Sequence, residues 1–261
     1  MRYRIGVSLH AERVEGVAFD LPGCAVSAPD EATLREMLPV AIAEHVAWLA
    51  DHGEPLDPHG ALDVDIVETI TRAETTAADG EFCFDDDLRP VADDEIDRAV
   101  RHMAYARADL LALVEPLPDA VLDWRPPRSA MAKIDPWNPD VLTIREIVAE
   151  IGNSDGYYRT GLQDGEPSSA DPEPEGLEAR RQCVIERLRS LPAGERGRLF
   201  HPVRPWRDSP EDWTARKAVR RIIGHERFHT KEIEQRLAWL LLGVPDFTRA
   251  RTWSEASVST A

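Results

Sequence analysis

The chain has 261 residues, 43% of them hydrophobic, with 48 acidic against 31 basic side chains and a formal net charge of −17. That length and apolar content supply one large or two ordinary domains with real cores. The acidic balance argues against a general nucleic-acid surface and against an anionic-membrane binder, because both need a positive field. The opening MRYRIGVSLH has no apolar signal-type stretch, and no run of 18 apolar residues occurs anywhere. Cys24, Cys83 and Cys183 lie far apart with no CxxC spacing, so the expected state is reduced and cytoplasmic.

The first seventy residues alternate. Tyr3, Ile5, Val7 and Leu9 fall on one face of a strand, and RVEGVAFDL gives a second short run. Pro22 and Gly23 punctuate LPGC as a turn. DEATLREMLPVAIAEHVAWLADHG then reads as a helix with Asp30 as N-cap and Gly53 as its stop, and Pro39 either kinks it or starts it afresh. ALDVDIVETI alternates again at Leu62, Val64, Ile66 and Glu68. The predicted order is β-β-(β)-α-β, an α+β unit over residues 1–70.

The stretch FDLPGCAVSAPDEATLREMLPVAIAEHVAWLADHGEPL resembles the HicB-like antitoxin domain, in which an LPGC turn precedes an acidic-started helix and a Gly-Pro exit. In that family the domain packs against a protein partner and a DNA-binding segment usually follows. No ribbon-helix-helix or helix-turn-helix pattern follows here, so the resemblance implies a homodimer or protein-partner contact and no nucleic acid. A small structural appendage is the alternative.

Residues 71–92 read as an acidic linker in which Phe82 and Phe84 can pin the chain to one side. From residue 93 to 245 the period changes to helical. Ile96, Val100, Met103, Leu110 and Val114 mark a first helix, and Thr143 with Glu146 forms a capping box at the start of a second. GLEARRQCVIERLRSL and WTARKAVRRIIGHERFHTKEIEQRLAWLLLG supply two more, after a polar, Pro-rich crossover. Four amphipathic helices with long connections predict an all-α, up-down-down-up four-helix bundle, ending in a polar tail over 246–261.

GHERFHTKEIEQRL, in the last helix, places His225 and His229 four apart. A helix turns about 100° per residue, so both imidazoles project from one face, beside Ala218, Ile222 and Ile233, and can chelate one metal. LDWRPP, LTIREIVAEI and WTARKAVRRIIGHERFHTKEIEQRL resemble the DinB family of metal-binding four-helix bundles. That family places one histidine on its second helix and an HxxxH pair on its fourth. His225 and His229 match the pair, whereas the second-helix position falls on Glu150.

Ile144, Ile147, Ile151, Ser154 and Tyr158 share or border the face of Glu150, which implies an inward carboxylate in need of a cation. His225, His229 and Glu150 then make a ligand set for zinc, nickel or iron(II) with open positions. The competing reading pairs Glu150 with Arg236 or a histidine and binds no metal.

An HExxH peptidase site requires Glu226 beside the metal and a further ligand, for which only Glu232, Glu234 and Glu255 are at hand. Glu226 is assigned no ligand role, and its replacement by Ala is expected to leave metal content nearly intact. Arg216, Lys217, Arg220, Arg227 and Lys231 read as a solvated outer face of the same helix. His102, Trp137, Tyr157 and Tyr158 read as packing residues, and His10, His45, His52, His59 and His201 show no ligand spacing.

The DinB-like resemblance implies metal-dependent transfer or isomerisation with a low-molecular-weight thiol held as thiolate, or hydrolysis, on a small-molecule substrate. The alternative is a non-catalytic stress or regulatory module whose metal is structural or sensory.

Overall fold

Alternating residues at the start of the chain build four strands, β1 (Arg2–Leu9), β2 (Val14–Ala18), β3 (Ala25–Ala28) and β4 (Asp63–Thr71), in one sheet of order β3-β2-β1-β4. The computed structural model describes residues 1–71, 83–134, 141–166, 174–204 and 211–243. Strands β1, β2 and β3 pair antiparallel, and β4 joins β1 in parallel, so helix α1 (Glu31–Asp51) is the crossover. The register steps from Ile5↔Ile66 to Gly6↔Glu68, which leaves Val67 as a bulge on the edge strand. Tyr3, Ile5 and Val7 meet Leu34, Leu38, Ile42 and Val46 of α1 in one core.

Asp30 Oδ1 accepts from Thr33 N at 2.8 Å and starts α1. Pro39 lies on the exposed side of a single 21-residue helix, so the chain does not begin a second helix there.

The second part is helical: α2 (Asp93–Val114), α3 (Asp119–Leu122), α4 (Arg128–Ile134), α5 (Ile144–Gly161), α6 (Leu177–Ser190) and α7 (Ala215–Leu242). Among the long helices, α2 packs on α7 and α6, and α5 packs on α6 and α7. The capping box at α5 forms as expected, with Glu146 N donating to Thr143 Oγ1 at 3.1 Å and Thr143 N donating to Glu146 Oε2 at 2.7 Å. Such a cap contributes about 1 kcal/mol. Burying one Ile or Leu contributes about 1.5–3 kcal/mol, so the rows Ile144, Ile147, Ile151 and Val184, Leu188 decide the packing.

The two parts meet along a seam. Trp48 Nε1 of α1 donates to Asp109 Oδ2 of α2 at 2.7 Å, and the Arg227 guanidinium of α7 lies 3.9 Å over the Trp48 ring. Gly23 of the LPGC turn has φ +91°, and a Cβ there would lie 2.4 Å from Ile223 Cγ2. Only glycine allows the turn to approach α7 so closely, next to Gly224. Residues 83–92 staple the same region: the Phe84 ring meets Phe19 at 5.2 Å between centroids, and Asp87 accepts from Arg220 at 3.0 and 3.1 Å. Phe82 lies outside the described residues.

This corrects one expectation. The basic side of α7 is largely covered rather than solvated, with Lys217 fully buried and Arg220 nearly so. Arg216 pairs with Glu95 and Lys231 with Glu44. These cations read as a surface face only while their acidic partners elsewhere in the chain are unknown.

Candidate metal centre

Thr214 caps α7, its side chain accepting from Lys217 N at 3.0 Å, and the helix then runs 28 residues without a break. His225 and His229 project from one face with their Nε2 atoms 3.1 Å apart. Two nitrogens that share one metal at about 2.0–2.1 Å must stand roughly 3 Å apart, so the pair is already close to a chelating bite. His229 Nδ1 lies 2.8 Å from Glu232 Oε2, and Glu232 Oε1 lies 2.7 Å from Arg236. Burial pushes the Glu232 carboxyl up, but the His229 hydrogen bond and the Arg236 charge outweigh it and hold it below the ordinary value. The Tyr158 ring, buried in the core, stands edge-on 6.0 Å from His225.

Glu226, between the two histidines in sequence, belongs to a different site. It is fully buried, with Oε1 2.5 Å from Arg107 Nε of α2 and Oε2 2.7 Å from Arg181 of α6. The second contact is an ion pair whose angle falls outside hydrogen-bond geometry. Asp155 of α5 completes the group, accepting from Arg181 at 3.1 Å and Arg107 at 3.4 Å. Each of the four long helices therefore supplies one buried charge, two guanidinium and two carboxylate groups, and the exposed Glu178 of α6 adds a third carboxylate at 2.7 Å from Arg107. Burial raises the Asp155 carboxyl, against the pull of Arg181 and Arg107. Burial lowers Arg107, but Glu226, Glu178 and Asp155 together outweigh it and the guanidinium is held above its usual value. A carboxylate committed to two guanidiniums is not available as the general base of a peptidase.

Glu150 is not with the histidines. It is exposed and accepts from Ser154 Oγ at 3.3 Å, so the expectation of an inward carboxylate is corrected. The cause is helical phase: Ile147 and Ile151 bury the face that continues to Asp155, leaving Glu150 to solvent. Arg236, its proposed pairing partner, is taken by Glu232. Among the described residues no group of three His, Cys, Asp or Glu side chains is arranged to hold a metal ion. Glu234 is exposed, and Glu255 lies outside the described residues.

Sequence reasoning missed Arg107, Asp155 and Arg181. Their signal is a charge on an apolar stripe: Met103–Arg107–Leu110, Ile151–Asp155–Tyr158 and Arg181–Val184–Ile185–Leu188 are all buried at helical spacing. Tyr157 and Tyr158 are packing residues as expected, Tyr157 donating its hydroxyl to Glu211. Glu211 Oε1 also accepts from the buried Lys217 at 3.0 Å, where burial lowers the ammonium pKa and Glu211 opposes the shift. His102 packs in the seam, 3.5 Å from Glu54, and Trp137 lies outside the described residues. A small cavity of about 30 Å³ opens there, lined by Phe19, Asp86, Arg98, His102 and Val219.

No helix among the described residues is long and apolar enough to cross a membrane. A family model described as the DinB superfamily matches residues 102–233, which is 132 of the 261 residues (233 − 102 + 1). Neither the curated proteins nor the solved structures compared with the chain gave a match.

Proposed function

The chain belongs to the DinB superfamily, and from that premise we propose that its four long helices form an up-down-down-up bundle holding one divalent metal at His225 and His229. The observation that carries the reading is the 3.1 Å approach of the two Nε2 atoms with Glu232 behind one of them. Zinc, nickel and iron(II) all suit imidazole ligands. Such a metal, when bound, lowers the pKa of a coordinated water or thiol and supplies a nucleophile near neutral pH. Two protein ligands leave positions for water, a small-molecule substrate and a low-molecular-weight thiol, so thiol transfer or hydrolysis is the class of reaction. The residues of the chain supply the rest: Glu232 orients His229, and Tyr158 walls one side of His225. Glu226 holds α7 to α2 and α6.

A second reading has support in the ligand count. Two converging histidines without a third described ligand also suit a structural or sensory metal in a stress or regulatory protein. In either reading the N-terminal unit, as a HicB-like domain, is a protein-interaction module. Its α1 face is used on α7 of the same chain, which leaves the edge strands β3 and β4 for a second copy or another protein. The three free cysteines suit a reducing, cytoplasmic setting.

Elemental analysis of the purified protein and of His229→Ala tests the metal. The wild type is expected to carry zinc, nickel or iron and the variant to lose it. A wild type that neither carries nor takes up any of the three sinks the reading. Thiol consumption by the metal-loaded protein then separates enzyme from sensor.

A further inference from the structure

The imidazole of His229 is tied at its far nitrogen. Nδ1 meets Glu232 Oε2 at 2.8 Å, the other oxygen of Glu232 meets Arg236 at 2.7 Å, and Arg236 Nη2 donates to Leu142 O at 3.0 Å. Arg236 is 1% exposed, and Leu142 directly precedes the Thr143 cap of α5. This relay therefore runs from α7 to the start of a second helix. We infer that Glu232 is a positioning residue, which keeps the proton of His229 on Nδ1 and presents Nε2 as the metal-binding lone pair, with Arg236 holding Glu232 in place.

The chemistry follows from what each group can do. An ionised carboxylate only accepts, so a neutral imidazole bonded to it must carry its proton on Nδ1. Nε2 then has a free lone pair directed at His225, whose own Nε2 lies 3.1 Å away. In the metal-free protein the proton between them belongs to His225, and a metal must displace it. An imidazole with no such acceptor can place its proton on either nitrogen, and half-correct tautomers bind metal less well. Arg236 matters because Glu232 is free to rotate without it. The contact to Leu142 O ties that rotation to the packing of α5.

The inference rests on the metal reading above, and its test keeps the two apart. Tautomers of His229 are read by long-range ¹H–¹⁵N spectra of the metal-free protein, and metal affinity is read by titration with Co²⁺ and Zn²⁺. Wild type should show the Nδ1–H form. Glu232→Ala should shift His229 toward the Nε2–H form and weaken Co²⁺ binding about tenfold to a hundredfold. Glu232→Gln, which can still accept one hydrogen bond, should fall between the two. Glu234→Gln, exposed on the same helix, should match wild type in both readouts. A Glu232→Ala protein that keeps both the Nδ1–H form and wild-type affinity overturns the inference. A wild type that binds neither ion overturns the metal reading, and the tautomer comparison still decides whether Glu232 orients His229.

Discussion

Glu226 and Arg227 are neighbours on α7, yet one faces the packed helices and the other faces the N-terminal unit. Inside, Glu226 meets two guanidiniums and Asp155 balances the second of them. In the seam, Arg227 meets the Trp48 ring and donates to Nδ1 of His45, both uncharged. Burial lowers the Arg227 guanidinium to about 10, against the pull of Cys24 and Asp109. Charge is cancelled in the first region, and in the second a cation lies against a neutral ring and a neutral imidazole, with the carboxylates of Asp109, Glu44 and Glu234 acting on it only as charges. The interior therefore depends on keeping every partner, and the seam depends on its imidazoles staying unprotonated.

The largest effect is expected in the interior. Removing one partner of a buried ion pair leaves the other charges unpaired in low dielectric and costs about 3–5 kcal/mol. Glu226→Ala removes the nearest carboxylate of Arg107 and Arg181 and leaves the buried Asp155 facing two guanidiniums, so its unfolding free energy should drop by an amount in that range. Metal content per folded chain should stay near wild type, because the carboxylate is committed to the arginines. A variant of wild-type stability that loses activity would instead make Glu226 a general base and break the comparison.

Much of the scaffold can be read from residue spacing, and the reason is local. Asp30 and Thr143 cap helices through contacts within three residues, and the alternation of Tyr3, Ile5 and Val7 marks one face directly. His225 and His229 are also local, four apart on one helix. The misreadings have two causes, partners distant in sequence and, for Glu150, the phase of a helical stripe. Lys217 and Arg220 look solvated until Glu211 and Asp87 are placed beside them. Glu150 borders an apolar stripe whose buried edge runs through Ile151 and Asp155, one step further round the helix. Arg107 and Arg181 each show as a charge on an apolar stripe, but their partner Glu226 lies 119 and 45 residues away by number (226 − 107 and 226 − 181), so spacing marks them as buried without saying what they meet.

The seam gives the next effect. Gly23→Ala introduces a side chain at φ +91° and a methyl group 2.4 Å from Ile223. A non-glycine residue in the left-handed region and an overpacked contact together cost roughly 2–3 kcal/mol. The loss should appear in unfolding midpoints and in faster hydrogen exchange of α1, while the tautomer of His229 stays as in wild type. Protection of α1 equal to wild type would show that the turn tolerates the methyl group and that the seam is looser than its contacts imply.

The smallest effect is set by pH, and its sign follows from the neighbours of two histidines. His45 is 1% exposed. Burial drives its pKa well below the ordinary value, and Arg227 and Lys231 from α7 and His102 from α2 add to the shift. His102 is 3% exposed and also lowered by burial, with Glu54 opposing and Arg98 and Arg101 adding to the shift. Both groups bind a proton more readily unfolded than folded. Stability from their neutral state is thus complete above about pH 6.5 and is lost as pH falls below it. At pH 6 the loss cannot exceed about 0.8 kcal/mol for each, since the unfolded imidazole is then only about three-quarters protonated. The protection factors of α1 amides, taken relative to the intrinsic exchange rate at each pH, should fall between pH 7.5 and 5.5 before those of α5. His45→Gln should flatten the dependence, because the amide can still accept from Arg227 and does not titrate. An α1 whose protection is as constant as that of α5 across this range would mean that protonated His45 finds an acid partner, and the contrast between seam and interior would fail.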